Sequence, residues 1–172
     1  FRRASVFRGG FELAAAERVL ELGDDVGTRE VLERLKSRSL ILSRGAGEHA
    51  RYSMLEALRG FATERLEEAG ERADGEARHT DCYVELGRAL RTAFERHDPQ
   101  ADRQLAIEVD NLAAIVERAA AAPRPTSGNA SAALEAALAL DIAWQQRGTP
   151  AEQAQALDSA LMLAEGRGIP AP

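Results

Sequence analysis

The stretch Tyr52-Ser-Met-Leu-Glu-Ala-Leu-Arg-Gly-Phe-Ala-Thr-Glu-Arg-Leu66 constrains this chain most, because an aromatic-led, β-capable end runs without a break into an amphipathic helix. Leu58, Phe61, Ala62, Leu66 and Ala69 recur at three- and four-residue spacings until Gly70, the pattern of a helix that buries one face. A strand that hands over directly to a helix is a junction, and it contains no catalytic motif. It predicts a module that binds, relays or restrains.

Upstream of that junction the chain breaks into short pieces. Residues 1–7 form an amphipathic turn or helix, interrupted by Arg8-Gly9-Gly10-Phe11, and residues 12–22 have helical character with Leu13, Ala16, Val19 and Leu20 on one face. Gly23-Asp24-Asp25 stops that helix. Thr28, followed by Glu30 and Val31, is placed to cap a third helix that carries Val31, Leu32, Leu35 and Leu40. Residues 40–43 and 50–54 then flank Arg44-Gly45-Ala46-Gly47-Glu48-His49, and glycines between two short β-capable runs predict a hairpin. Three helices and a hairpin make a winged helix.

Beyond Gly70 the reading is helix after helix: residues 72–97, 101–122, 131–147 and 150–165. Breaks fall at Asp98-Pro99, in a flexible loop over residues 123–129, at Gly148-Thr149 and at Gly166, with Thr149 placed to cap and Pro150 to start the last helix. The expected fold class is mainly α: a winged helix over residues 1–70, then an array of antiparallel helical hairpins over residues 71–172. A hydrophobic share of 45% supports a buried core, and an aromatic share of only 5% in a chain rich in Ala, Leu, Glu and Arg favours helix over sheet.

Charge narrows the partners. The net charge is −6 and the isoelectric point about 5.2, which opposes broad attraction to nucleic acid or anionic membranes. The two ends differ: residues 1–60 hold eleven Arg/Lys against nine Asp/Glu, and residues 61–172 hold eleven against nineteen. Cys82 is the single cysteine, so an internal disulfide is excluded and a cytoplasmic location is expected. No apolar run approaches the roughly 20 residues that span a bilayer, and the start Phe1-Arg-Arg-Ala-Ser-Val-Phe, without an initiating Met, reads as that of an excised piece.

The runs Phe1-Arg-Arg-Ala-Ser-Val-Phe-Arg-Gly-Gly-Phe11 with Ala15-Ala16-Glu17, residues 32–40, and Tyr52-Ser-Met-Leu-Glu-Ala-Leu-Arg59 resemble the winged-helix domain of bacterial STAND-class nucleotide switches. The large LuxR- and SARP-type transcriptional regulators match best. Arg78-His79-Thr-Asp-Cys-Tyr83 and Glu108-Val-Asp110-Asn111-Leu112 are similar to that family's first helices after the wing. The resemblance implies an upstream nucleotide-binding domain that holds ATP or ADP, no cofactor in this fragment itself, and a following tetratricopeptide-like array that senses a protein or small-molecule effector. It also implies that the wing packs on the nucleotide-binding core, with Met54, Leu55, Glu56 and Arg59 at the facing positions.

In the wider class a Met-His-Asp motif ends the wing, and its His reads the phosphate of ADP. Leu55 stands in the His position here, and an aliphatic side chain donates no hydrogen bond to phosphate. Glu56 remains able to pair with a basic group on the core. A plainer reading makes Leu55 part of this domain's own core and Glu56 a carboxylate at a helix N-terminus.

A DNA-reading alternative takes residues 28–40 as a recognition helix bearing Arg29, Arg34, Lys36 and Arg38, with Arg44 and Arg51 in the wing. Glu30, Glu33 and Glu48 dilute that basic face, and the chain has a single Lys. In the helical region Trp144, with Arg147 beside it, is the candidate contact for a partner, against a reading of Trp144 as interhelical core. His49, His79 and His97 share no ligand spacing, and the glycines form no phosphate-binding loop. Glu64, Glu67, Glu68 and Glu71 alternate with Arg65 and Arg72 as a solvated face does. Ser5, Ser37 and Cys82 have no identifiable activating base. No catalytic residue is assigned.

Overall fold

A computed structural model of the protein describes residues 1–23, 27–45, 47, 50–147 and 150–166. Among the described residues there are eight α-helices, one 3-10 helix and one small sheet, and the chain divides into two compact units, residues 1–82 and 83–172.

The first unit opens with a 3-10 helix, Arg2–Val6, that buries Ala4, Ser5 and Val6. Strand β1 (Phe11–Glu12) leads into α1 (Leu13–Leu20), then come α2 (Thr28–Ser37), β2 (Leu42–Arg44), β3 (Arg51–Ser53) and α3 (Glu56–Glu68). The strands form an antiparallel sheet in the order β1-β3-β2, with Phe11 opposite Tyr52 and Ser43 opposite Tyr52 on the other side. Helix, strand, two helices and a two-stranded wing is the winged-helix arrangement. Phe7 and Phe11 stack with centroids 4.1 Å apart, Phe11 meets Tyr52 at 6.0 Å, and His79 presents an edge to Phe7 at 5.7 Å. All four are buried, and their stacked and edge contacts fasten the sheet to the helices.

Local chemistry departs from expectation at three places. The sequence predicts loop and helix start where strand β1 lies, since two residues carry no alternation to detect. Its pairing is made by tertiary partners: Arg51 sits opposite Glu12 and donates from Nη2 to the carbonyl of Gly10. Thr28 is the first residue of α2 and Gly27 occupies the cap, where its carbonyl accepts from Val31 N at 3.1 Å. Helix α1 stops at Leu20 because Glu21 turns left-handed, φ 45°.

Helix α4 (Arg72–Glu95) runs from the first unit into the second, which continues with α5 (Ala101–Ile107), α6 (Val109–Ala121), α7 (Ser127–Arg147) and α8 (Pro150–Glu165). Helix α7 packs against α5, α6 and α8. Its inner face is built of Ala130, Ala133, Ala136, Ala137, Leu140 and Ala143, all buried, and such small side chains let neighbouring backbones approach. Gly87 of α4 fits the same economy, since a Cβ there would stand 3.2 Å from Ala139 Cβ and 3.4 Å from Leu112 Cδ2.

The single helix expected over residues 101–122 is two. Glu108 leaves helical geometry at φ −96°, ψ 7°, its amide ends α5, and its carbonyl accepts from Leu112 N at 3.0 Å to begin α6. Its buried carboxylate accepts from Asn111 Nδ2 at 3.0 Å, an arrangement that fixes the break. The loop expected over residues 123–129 is also shorter. Asn129 N donates to Thr126 Oγ1 and Thr126 N to Asn129 Oδ1, both at 3.1 Å, a reciprocal cap that starts α7 at Ser127. The expected turn at Gly148-Thr149 lies outside the described residues.

Candidate functional sites on the two units

At the end of the wing, β3 and the first turn of α3 position the four residues expected to face a nucleotide-binding domain. Met54 is buried. Leu55 caps α3 with extended geometry and is 51% exposed, which overturns the reading of Leu55 as core. Glu56 lies in the first turn, where the helix dipole favours a carboxylate, and pairs with Arg59 one turn later. Arg59 turns inward and donates from Nη1 to the carbonyl of Arg8 at 2.8 Å. The structure thus brings Glu56 and Arg59 together and separates Met54 from Leu55.

Beside this pair, α3 shows an apolar stripe. Leu55 at the N-cap, Leu58 and Phe61 recur every three residues; Leu58 is half-buried, while Leu55 is exposed and Phe61 is 53% exposed despite an Arg65 guanidinium over its ring at 5.2 Å and Phe1 at 6.3 Å. Large exposed apolar side chains aligned on one helix face are the usual mark of a contact surface.

Arg29, Arg34 and Lys36 on α2 and Arg38 at its C-cap are exposed, as is Arg44 on β2. They do not act as one field. Lys36 donates to Glu33 at 2.9 Å, which raises the Lys36 pKa and lowers that of Glu33, through that hydrogen bond first in both cases. Tyr52 OH reaches the same Glu33 carboxylate at 3.4 Å. Arg51 is spent on β1, and His49 lies outside the described residues.

One charged assembly was not foreseen. Arg2 and Arg3 both grip Glu71, with four N–O contacts between 2.9 and 3.2 Å, and Arg3 Nη1 donates to the carbonyls of Leu20 and Glu21. The hydrogen bonds from Arg3 and then Arg2 lower the Glu71 pKa to about 2. Partners 68 and 69 residues away carry no sequence signal, and Glu71 reads in the sequence as one more acid on a solvated face. The remainder of that face behaves as expected, with Arg65 paired to Glu68 and Arg72 to Glu67 and Glu76.

In the second unit, Trp144 is half-buried and lines a groove of about 580 Å³ together with residues of α6 and α8. The side chain of Arg147 lies outside the described residues. The groove also takes in Asp110, Glu117, Gln155 and Ser159, none of which stood out in the sequence; Asp110, Ala113, Glu117 and Ala120 share a helical face, but nothing in the spacing shows that α8 lies across from it. Among the described residues, no three His, Cys, Asp or Glu side chains converge as metal ligands, and no helix is long and apolar enough to cross a membrane.

The first unit therefore defines a winged-helix module and the second a helical one. Over 147 residues, 84% of its length, the chain is 35% identical to proteins of Mycobacterium bovis and Mycobacterium tuberculosis that are named "Putative HTH-type transcriptional regulator". It spans 16% of the length of each. The chain is thus homologous to one stretch of much longer regulators. No family model and no solved structure matches it.

Proposed function

We propose that this chain is a non-catalytic regulatory segment of a transcriptional regulator. Its winged helix restrains a nucleotide-binding domain elsewhere in the parent protein, and its helical unit senses a ligand or protein partner. The observation that carries the reading is the apolar stripe Leu55, Leu58 and Phe61 on α3, set beside the Glu56–Arg59 pair. A folded module retains such a face when another surface covers it in one of its states, and a switch needs a surface that is covered in one state and free in the other. ATP or ADP belongs to the partner domain in this account.

A second reading makes the winged helix a DNA reader. It is favoured by the relatives' helix-turn-helix name and by the exposed Arg29, Arg34, Arg38 and Arg44. Against it stand Glu30 and Glu33 on the same helix, the Lys36–Glu33 pair and the commitment of Arg51 to β1.

The two are separated by mixing the chain with the parent's nucleotide-binding domain and measuring association by calorimetry. The restraint reading expects binding that weakens when Leu55 and Phe61 are both replaced by Ser. No association, with both pieces folded, would count against it.

A further inference from the structure

We infer that a helix of the parent's nucleotide-binding domain lies across α3 and makes its closest approach at Gly60. This rests on the restraint role proposed for the winged helix and names the point at which that module is gripped. Gly60 stands inside α3 with helical rather than left-handed backbone, and it is exposed. A Cβ at this position would meet nothing within 4 Å. Glycine inside a helix lowers the folding equilibrium by roughly two- to fivefold relative to alanine, and among the described residues no neighbour requires it here. Gly75 is the contrast, since a Cβ there would stand 3.2 Å from Val6 Cγ1. The cost at Gly60 is offset when a second backbone comes close, because two helices pack nearer where the side chain at their crossing is small.

The residues around Gly60 fit such a helix. Ala57 one turn before it and Glu64 one turn after it share its face, and both are exposed. Phe61, next to the crossing, offers a large apolar contact. Glu64 sets the charge of the partner. Glu67, Glu68 and Glu71 are each held by an arginine, whereas the Glu64 side chain has no ion pair or hydrogen bond among the described residues. A Lys or Arg on the crossing helix would complete it. The occupant is a segment of the same parent rather than a free ligand. The relatives extend far beyond the 16% of their length that this chain spans, and the face adjoins Leu55 and the Glu56–Arg59 pair proposed to meet that domain.

The experiment titrates the chain with the parent's purified nucleotide-binding domain by calorimetry and follows urea unfolding of each variant alone. Gly60→Ala is expected to raise the folding equilibrium of the free chain about two- to fivefold and yet to weaken association about tenfold. Gly60→Leu, whose side chain enters open space in the free chain, is expected to weaken association about a hundredfold. Glu64→Lys should weaken it more at low salt than at high salt. Lost affinity in a more stable protein does not come from a damaged fold. Association unchanged by Gly60→Leu overturns the crossing at Gly60 and leaves the restraint reading standing. No association of the native chain, with both pieces folded, removes the restraint reading and this inference with it.

Discussion

Three helices end in the same left-handed cap, yet only one of them uses glycine, and that difference predicts the sign of three substitutions. After α2, Leu40 N donates to Leu35 O and Ser39 N to Lys36 O at 3.0 and 2.9 Å. After α3, Glu71 N and Gly70 N repeat the pattern on Leu66 and Glu67, and after α4 Asp98 N and His97 N repeat it on Ala93 and Phe94. The residue at the turn has φ 58° in Ser39, 68° in Gly70 and 62° in His97. A side chain at such an angle costs about 1 kcal/mol or more, because Cβ crowds the following carbonyl. Glycine escapes this but gives back about 0.5–1 kcal/mol through the greater freedom of its unfolded chain. Ser39→Gly and His97→Gly should therefore each stabilise by about 0.5 kcal/mol, the side chains being exposed and making no buried contact to lose. Gly70→Ala should destabilise by about 0.5 kcal/mol by the same balance reversed, and purely through its backbone angle, since a Cβ there meets nothing within 4 Å. Urea unfolding followed by helical circular dichroism measures all three as midpoint shifts at constant slope. A neutral Gly70→Ala, or a Ser39→Gly that weakens the fold as much as Gly70→Ala does, would refute the reasoning.

Glu71 carries an acid-dependent contribution. Its folded pKa, about 2, lies below the ordinary 4.5, so the stability it contributes is complete above pH 4.5 and fades as pH falls towards 2. The stability gap between the native chain and Glu71→Gln should close over that window in acid unfolding curves. Gly87→Leu should cost at least about 1–3 kcal/mol by overpacking α4 against Ala139 and Leu112, seen as a lower unfolding midpoint of the helical unit by Trp144 fluorescence. Arg51→Ala should cost about 1.5 kcal/mol through the lost charge-assisted bond to Gly10, whereas Arg44→Ala, exposed on β2, should stay within about 0.5 kcal/mol; thermal melts of the two variants compare them directly.

What the sequence revealed follows the range of each signal. Helices α1 to α4, α7 and α8 and the hairpin of β2 and β3 are written locally, in apolar spacing and in glycines, and they were legible. Strand β1 was not, because its two residues are made a strand by Tyr52 and Arg51 forty residues on. The break at Glu108 carries no Gly or Pro to mark it, although Val109, Asp110 and Asn111 after it are weak helix formers, and it is set by a buried carboxylate–amide bond. The cap at Thr126 escaped because Asn129 stands where the familiar pattern has Glu or Gln. At the sites, Leu55, Arg59 and Trp144 could be named as candidates. That Arg59 would turn inward to Arg8, that Glu71 would hold two arginines, and that Asp110 and Glu117 would share a groove with Trp144 all depend on tertiary placement.

In the proposed function this winged helix serves as an internal restraint. The most direct test is fluorescence anisotropy of a labelled random DNA duplex titrated with the chain at low and at moderate salt. The restraint reading predicts no binding even at low salt, because the bases of α2 are diluted by Glu30 and Glu33 and the whole chain is acidic. Tight binding that falls steeply with salt, and that is lost when Arg29, Arg34 and Arg38 become Ala, would contradict it and make the first unit a DNA reader.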